Sequence, residues 1–94
     1  MNTLSLTPLF KRNYKRFVRR HSELVGKIDE TLRQLQSDHT HPGLRTHALD
    51  GKLAGCYACT VAYDLRIVFQ IEDAPQPFLK KIVLLNIGTH DQVY

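Results

Sequence analysis

Hydrophobic residues recur along this chain with two different periods, and the change of period divides it in two. The opening segment Thr3-Leu4-Ser5-Leu6 alternates polar and apolar positions and predicts a short strand. Thr7-Pro8 then marks a helix start. A threonine hydroxyl can accept a free amide of the first turn, and proline fits the first helical position. From residue 9 to about 20, Phe10, Tyr14, Phe17 and Val18 recur at helical spacing on one face. Lys11, Arg12, Lys15, Arg16, Arg19 and Arg20 fill the other. His21-Ser22 breaks the pattern, with Ser22 expected to cap a second helix. In that helix Val25, Ile28, Leu32 and Leu35 repeat at intervals of three and four to about residue 36. Two helices so closely joined predict an antiparallel hairpin, whose apolar stripes need a further surface to cover them.

Residues 37–50 contain Asp38, two threonines, Pro42-Gly43 and three histidines, and read as a loop. The period then shortens. Strands are predicted over 55–63, 65–71 and 78–87, with Asp64 at a tight turn and the Pro-bearing segment 72–77 as a longer hairpin loop. In the middle strand, Leu65, Ile67, Phe69 and Ile71 share one parity and should face the helices. Arg66, Val68 and Gln70 share the other, which leaves Arg66 on the open face of the sheet. The order strand, helix, helix, strand, strand, strand predicts an α+β domain: a helical hairpin on one face of a mainly antiparallel sheet. The last predicted strand ends at Gly88, a natural strand breaker, followed by a short polar tail containing His90, Asp91 and Tyr94.

Composition narrows the picture without deciding it. Ninety-four residues make a single domain over 1–94. A chain of this size buries roughly 60–65% of its unfolded surface, enough for one thin core. The net charge is +4 and the pI near 9.3, and six of the 13 Lys and Arg lie between Lys11 and Arg20. Such a basic helix face suits a solvated surface, a phosphate backbone or an acidic protein segment equally well. No segment approaches the ~18 apolar residues of a membrane span, and no signal peptide is evident, so a cytoplasmic protein without a membrane partner is expected. Cys56 and Cys59 have the spacing of a redox or metal dithiol. They lie on a predicted strand, however, where residues three apart point to opposite faces, so structural thiols are expected. His39, His41, His47 and His90 lack the close pairs of a structural zinc site, and no metal or cofactor is expected from them.

The remaining chemistry-bearing set is Arg45, His47, Lys52, Asp64, Arg66, His90 and Tyr94. Brought together, these would form a concave site with cations, an imidazole and a phenol. That inventory suits cleavage of a phosphodiester without metal. Arg and Lys would stabilise charge on the pentavalent phosphate. An imidazole titrating near ~6.5 would exchange a proton with a ribose hydroxyl or the leaving oxygen. Tyr94 would stack on a base or donate a proton.

Three stretches carry a family likeness: residues 49–57 (LDGKLAGCY), residues 61–69 (VAYDLRIVF) and the ending 85–94 (LNIGTHDQVY). Together with the basic first helix and the His47-x-Leu49-x-Gly51 loop, they resemble the RelE/ParE superfamily, and within it the RelE/StbE and YafQ-like toxins of type II toxin–antitoxin systems. The resemblance covers nearly the whole chain, and "IGTH-x-x-VY" is its most specific part. It implies the fold derived above and a ribosome-dependent mRNA endonuclease. The implied chemistry is attack of the ribose 2′-hydroxyl on the adjacent phosphate, leaving a 2′,3′-cyclic phosphate and a 5′-hydroxyl. It also implies a cognate antitoxin, the ribosome and mRNA as partners, with operator DNA as a partner of the toxin–antitoxin complex.

Residue by residue, His47 matches the loop histidine of the YafQ-like pattern, Asp64 its acidic turn residue and His90 its C-terminal histidine. Tyr94 falls at the C-terminal aromatic position, and Arg66 matches the sheet arginine of RelE-like members. Lys52, Arg45 and the helical Lys11, Lys15 and Arg19 are candidate RNA contacts. Thr60 stands where YafQ-like toxins place a second strand histidine, and Leu65 where they have tryptophan. The strand lysines of RelE are also missing. The general base therefore falls to His47 or His90, with His90 the first choice as acid. Two other activities are compatible with the same resemblance: a ParE-like gyrase inhibitor, and an inactive antitoxin-binding corepressor.

Overall fold

Thr7 and Pro8 start the first helix as their chemistry dictates: the Thr7 hydroxyl accepts the Phe10 amide at 3.2 Å, and it donates to the Leu84 carbonyl at 2.8 Å. One cap thus fixes both the helix start and its seat on the sheet. In the computed structural model, which describes residues 1–94, helix α1 (Pro8–Arg20) is followed by a short 3₁₀ turn and α2 (Val25–Ser37). The sheet has five strands, β1 (Thr3–Leu6), β2 (His47–Ala48), β3 (Tyr57–Ala62), β4 (Leu65–Asp73) and β5 (Lys80–Gly88), in the spatial order β1-β5-β4-β3-β2. β1 runs parallel to β5, and every other pair is antiparallel. A third helix, α3 (His90–Val93), ends the chain.

Both long helices lie on one face. Phe10 from α1 and Ile28 and Leu35 from α2 join Cys59, Val61, Leu65, Ile67, Phe69, Ile82, Leu84 and Ile87 of the sheet in one buried cluster. The parity of β4 is as predicted, with Leu65, Ile67 and Phe69 inward. In β5 a bulge intervenes, because Val68 pairs with Asn86 while Phe69 pairs with Leu84. The extra residue re-phases the strand, so that Leu84 and Ile87 both enter the core although they are three apart. Asn86 sits at this irregularity. Its Oδ1 accepts from Asn13 Nδ2 of α1 at 2.7 Å and from the Ile87 amide at 2.9 Å, which ties helix to bulge.

Two expectations are corrected. Ser22 does not cap α2: it opens the 3₁₀ turn Ser22–Leu24, and α2 starts after Leu24 without a side-chain cap. The segment 37–50 is not wholly loop, since His47 and Ala48 pair with Ala58 and Tyr57 as an edge strand. The polar tail after Gly88, for which the sequence predicts no element, forms α3. The cysteines separate as expected. Cys59 lies in the helix-facing core, and Cys56 lies with Ala58, Val68 and Val93 in a second cluster on the opposite face.

Candidate functional site

The open face of the sheet is built by the residues that the core rejects. Pairing of β2 with β3 sets His47 opposite Ala58, and pairing of β3 with β4 sets Thr60 opposite Arg66. The Tyr63-Asp64 turn joins β3 to β4, with Asp64 in the left-handed region at φ 52°. Aspartate tolerates that conformation better than most residues. The Arg66 guanidinium donates to the Ala62 carbonyl at 3.1 Å and the Leu65 carbonyl at 3.2 Å through one nitrogen. Those bonds hold the group in place and leave its other N–H donors free of protein partners.

The tail supplies the rest. Val93 is 8% exposed and docks on Cys56, Ala58 and Val68, with Leu49, Leu53 and Leu85 packed around them. This anchors α3 across the open face. The Asp64 carboxylate accepts the His90 amide at 3.0 Å, which satisfies one of the free N–H groups at the helix start. Asp64 therefore holds the backbone of His90. The carboxylate beside the His90 imidazole is that of Asp91, 3.5 Å from Nδ1. Tyr94 neighbours both histidines. Its ring lies edge-on to His90 at a centroid distance of 4.5 Å and to His47 at 6.5 Å.

His47, Lys52 and Tyr94 line one open depression of about 330 Å³, floored by Leu49 and Leu53. Burial pushes the Tyr94 phenol up, and the positive charge of Arg66 partly offsets this. The phenol is thus a neutral hydrogen-bond donor at physiological pH.

Of the residues singled out in the sequence, His47, Lys52 and Tyr94 line this depression, and His90 joins them through its ring contact with Tyr94. Asp64 reaches this group from the neighbouring turn through the His90 amide, and Arg66 from β4 through its charge near Tyr94. Arg45 is exposed in a left-handed conformation at φ 51°, and only its carbonyl approaches His47, 3.5 Å from Nδ1. Lys15 and Arg19 line, with Arg12 and Arg16, a separate basic depression on α1, and Lys11 is exposed on the same helix, across the sheet from His47. His39 is bonded to Asn2 at 3.2 Å, and His41 accepts the Gly43 amide at 3.0 Å, so each has a local structural role. Residues missing from the sequence-based set are Thr89, Gln92 and Gly88, which shape the turn into α3. The Thr89-x-x-Gln92 spacing of a capping box was there to be read.

Known proteins share the family and the fold of this chain. Residues 2–94 match the family model described as the bacterial toxin of type II toxin–antitoxin system, YafQ. No curated protein sequence matches the chain. Among solved structures, YafQ from E. coli strain BL21(DE3) aligns with a TM-score of 0.78 at 16% identity, covering 100% of this chain and 99% of that one. A YoeB/ParE toxin from Agrobacterium tumefaciens aligns at 0.76 and 17% identity over 94% and 98% of the two chains. The toxin chain in an E. coli DinJ–YafQ complex gives 0.76 and 17% over 100% and 99%. At these identities the structural likeness speaks for the fold alone, while the family match spans nearly every residue. The chain belongs to the YafQ family of bacterial toxins of type II toxin–antitoxin systems.

Proposed function

We propose that this toxin is an endoribonuclease that cleaves mRNA on the ribosome, in the cytoplasm, by attack of a ribose 2′-hydroxyl on the adjacent phosphate. The observation that carries the reading is the placement of Tyr94 against two imidazoles, at 4.5 Å from His90 and 6.5 Å from His47, beside the Arg66 strand. Pure binding needs no pair of proton-transfer groups, whereas transesterification needs one group to take a proton and one to give it. In this scheme His47 takes the 2′-hydroxyl proton as the oxygen attacks phosphorus. His90 gives a proton to the departing 5′-oxygen, so that a 2′,3′-cyclic phosphate and a 5′-hydroxyl result. Arg66 and Lys52 neutralise the charge that grows on the phosphate. Tyr94 stacks on a base next to the scissile bond, and Asp64 holds His90 in place.

These groups supply the proton transfers and the charge neutralisation, so the scheme calls for no metal. Lys11, Lys15 and Arg19 on α1, with Arg45 beside β2, are positive surfaces for further RNA contact. A cognate antitoxin is the natural partner, as DinJ is in the E. coli DinJ–YafQ complex. An amphipathic antitoxin segment would suit the surfaces left by the helices and the sheet edge. Binding of operator DNA belongs, in this reading, to the toxin–antitoxin complex.

The test is induction of the chain and of His90→Ala, followed by mapping of 5′ ends on cellular mRNA. Codon-phased cuts are expected with the native chain. They should fall by ~10²–10⁴-fold in the variant. DNA damage without mRNA cuts would replace the reading with a gyrase inhibitor. Equal cleavage by His90→Ala would remove His90 from the chemistry.

A further inference from the structure

A four-residue helix has little means of holding itself together, since its first hydrogen-bonded turn orders three residues for a single bond. Yet α3 carries His90 at its start and Tyr94 just past its end, so its placement sets the geometry between the two rings. Part of the restraint comes from Asp64 on the His90 amide and from Val93 in the apolar patch. A further part comes from Gln92. Its side chain folds back toward the strand, and Oε1 accepts the Thr89 amide at 2.9 Å. The backbone amide of Gln92 itself bonds to the Thr89 carbonyl at 3.0 Å.

This fold-back needs room at one position. A Cβ on Gly88 would lie 2.7 Å from Gln92 Oε1 and 3.0 Å from Gln92 Cβ. Gly88 is not among the glycines with positive φ, so what it contributes is space rather than backbone freedom. It is also buried and stands directly opposite Arg66 in the sheet. The seat of the Gln92 amide is therefore the strand end that faces the sheet arginine. Gln92 does not reach the depression beside His47. With Thr89 it lines a different cleft, of about 290 Å³, shared with Asn13, Arg16 and Arg20 of α1. Any effect on the reaction must pass through the backbone of α3.

We propose that Gln92, seated against Gly88, is a positioning residue that fixes His90 and Tyr94 for the reaction. The proposal rests on the endonuclease reading and extends it to a side chain that touches no reacting group. What Gln92 supplies is an acceptor oxygen, which glutamate also supplies and alanine does not.

The experiment uses the full chain with Gln92→Ala, Gln92→Glu and Gly88→Ala. Each is assayed for cleavage, and the ring protons of His90 and Tyr94 are followed by NMR, since edge-on stacking gives them characteristic ring-current shifts. Gln92→Ala should shift these resonances and lower kcat by roughly fivefold, with KM little changed. Gln92→Glu should restore both to within about twofold of the native chain. Gly88→Ala should resemble Gln92→Ala. Unmoved ring resonances in Gln92→Ala, or no recovery in a folded Gln92→Glu, would overturn the proposal. If the native chain cut no RNA, ring displacement in Gln92→Ala and its reversal in Gln92→Glu would still uphold the positioning role. Unchanged rings would still overturn it, so the two readings fail separately.

Discussion

The two faces of the sheet are built to different standards. The helix face packs twelve buried residues into one cluster, with Phe10, Phe69, Ile28 and Leu35 among its largest members. The open face has four, namely Cys56, Ala58, Val68 and Val93, covered by α3 and by Leu49 and Leu53 of the segment before β3. A buried Leu, Ile or Phe contributes about 1.5–3 kcal/mol, so nearly all of the stabilisation from burial comes from the first face. Alternate residues of β4 serve the two faces: Leu65, Ile67 and Phe69 hold the fold, while Val68 lies under the candidate site. Because the site rests on the weaker cluster, its geometry can change without the fold being lost.

That contrast can be broken most forcefully from the core side. Phe69→Ala empties a fully buried position and should cost about 3–5 kcal/mol, enough to remove most of a small domain's stability. Cleavage and folding would disappear together in denaturant titrations and activity assays. Ending the chain at Thr89 should do the reverse. It removes His90, Val93 and Tyr94, costs about 2 kcal/mol through the uncovered patch, and lowers cleavage by at least ~10²-fold. A truncated chain that unfolded as readily as Phe69→Ala would show the open-face cluster to be part of the core.

The smallest effect concerns pH and Cys59. Burial pushes the Cys59 thiol from 9.0 up to about 12, with a backbone hydrogen bond and Arg66 acting weakly against it. The folded value lies above the unfolded one, so the folded chain keeps a proton that the unfolded chain releases. Stability is therefore intact below about pH 9 and falls as pH rises toward 12. The loss should reach about 1 kcal/mol by pH 10, read as a fall in denaturation midpoint. Cys59→Ala should flatten this slope whatever its own cost in packing. An unchanged slope in that variant would assign the alkaline loss to other groups. The half-exposed Tyr94 shifts in the same direction and adds to the loss.

Much of the fold was legible along the chain because its causes are local. Thr7-Pro8 capped α1 as read, β1 kept its predicted bounds, and the alternation of β4 told its two faces apart. The opposite facing of Cys56 and Cys59 followed from strand geometry alone. The candidate site was legible as an inventory of residue types but not as an arrangement. His47 looked like a loop residue because two paired residues leave no periodic trace, and β2 exists only through its pairing with β3. Asp64 was legible as an acidic turn residue, but the approach of its carboxylate to the His90 backbone was not.

By itself, then, the sequence determined the capped start of α1, the strands whose alternation is strong, and the residue types from which a candidate site is assembled. These depend on neighbours within four or five positions. Only the tertiary structure decided that β5 bulges so that Leu84 and Ile87 both face inward, and that the basic face of α1 lies across the sheet from His47. It also decided that residues 90–93 become a helix. A single turn of helix is too short to order itself. It forms here because Asp64, 26 positions earlier, accepts its first amide, and because Val93 finds the patch left by Cys56, Ala58 and Val68.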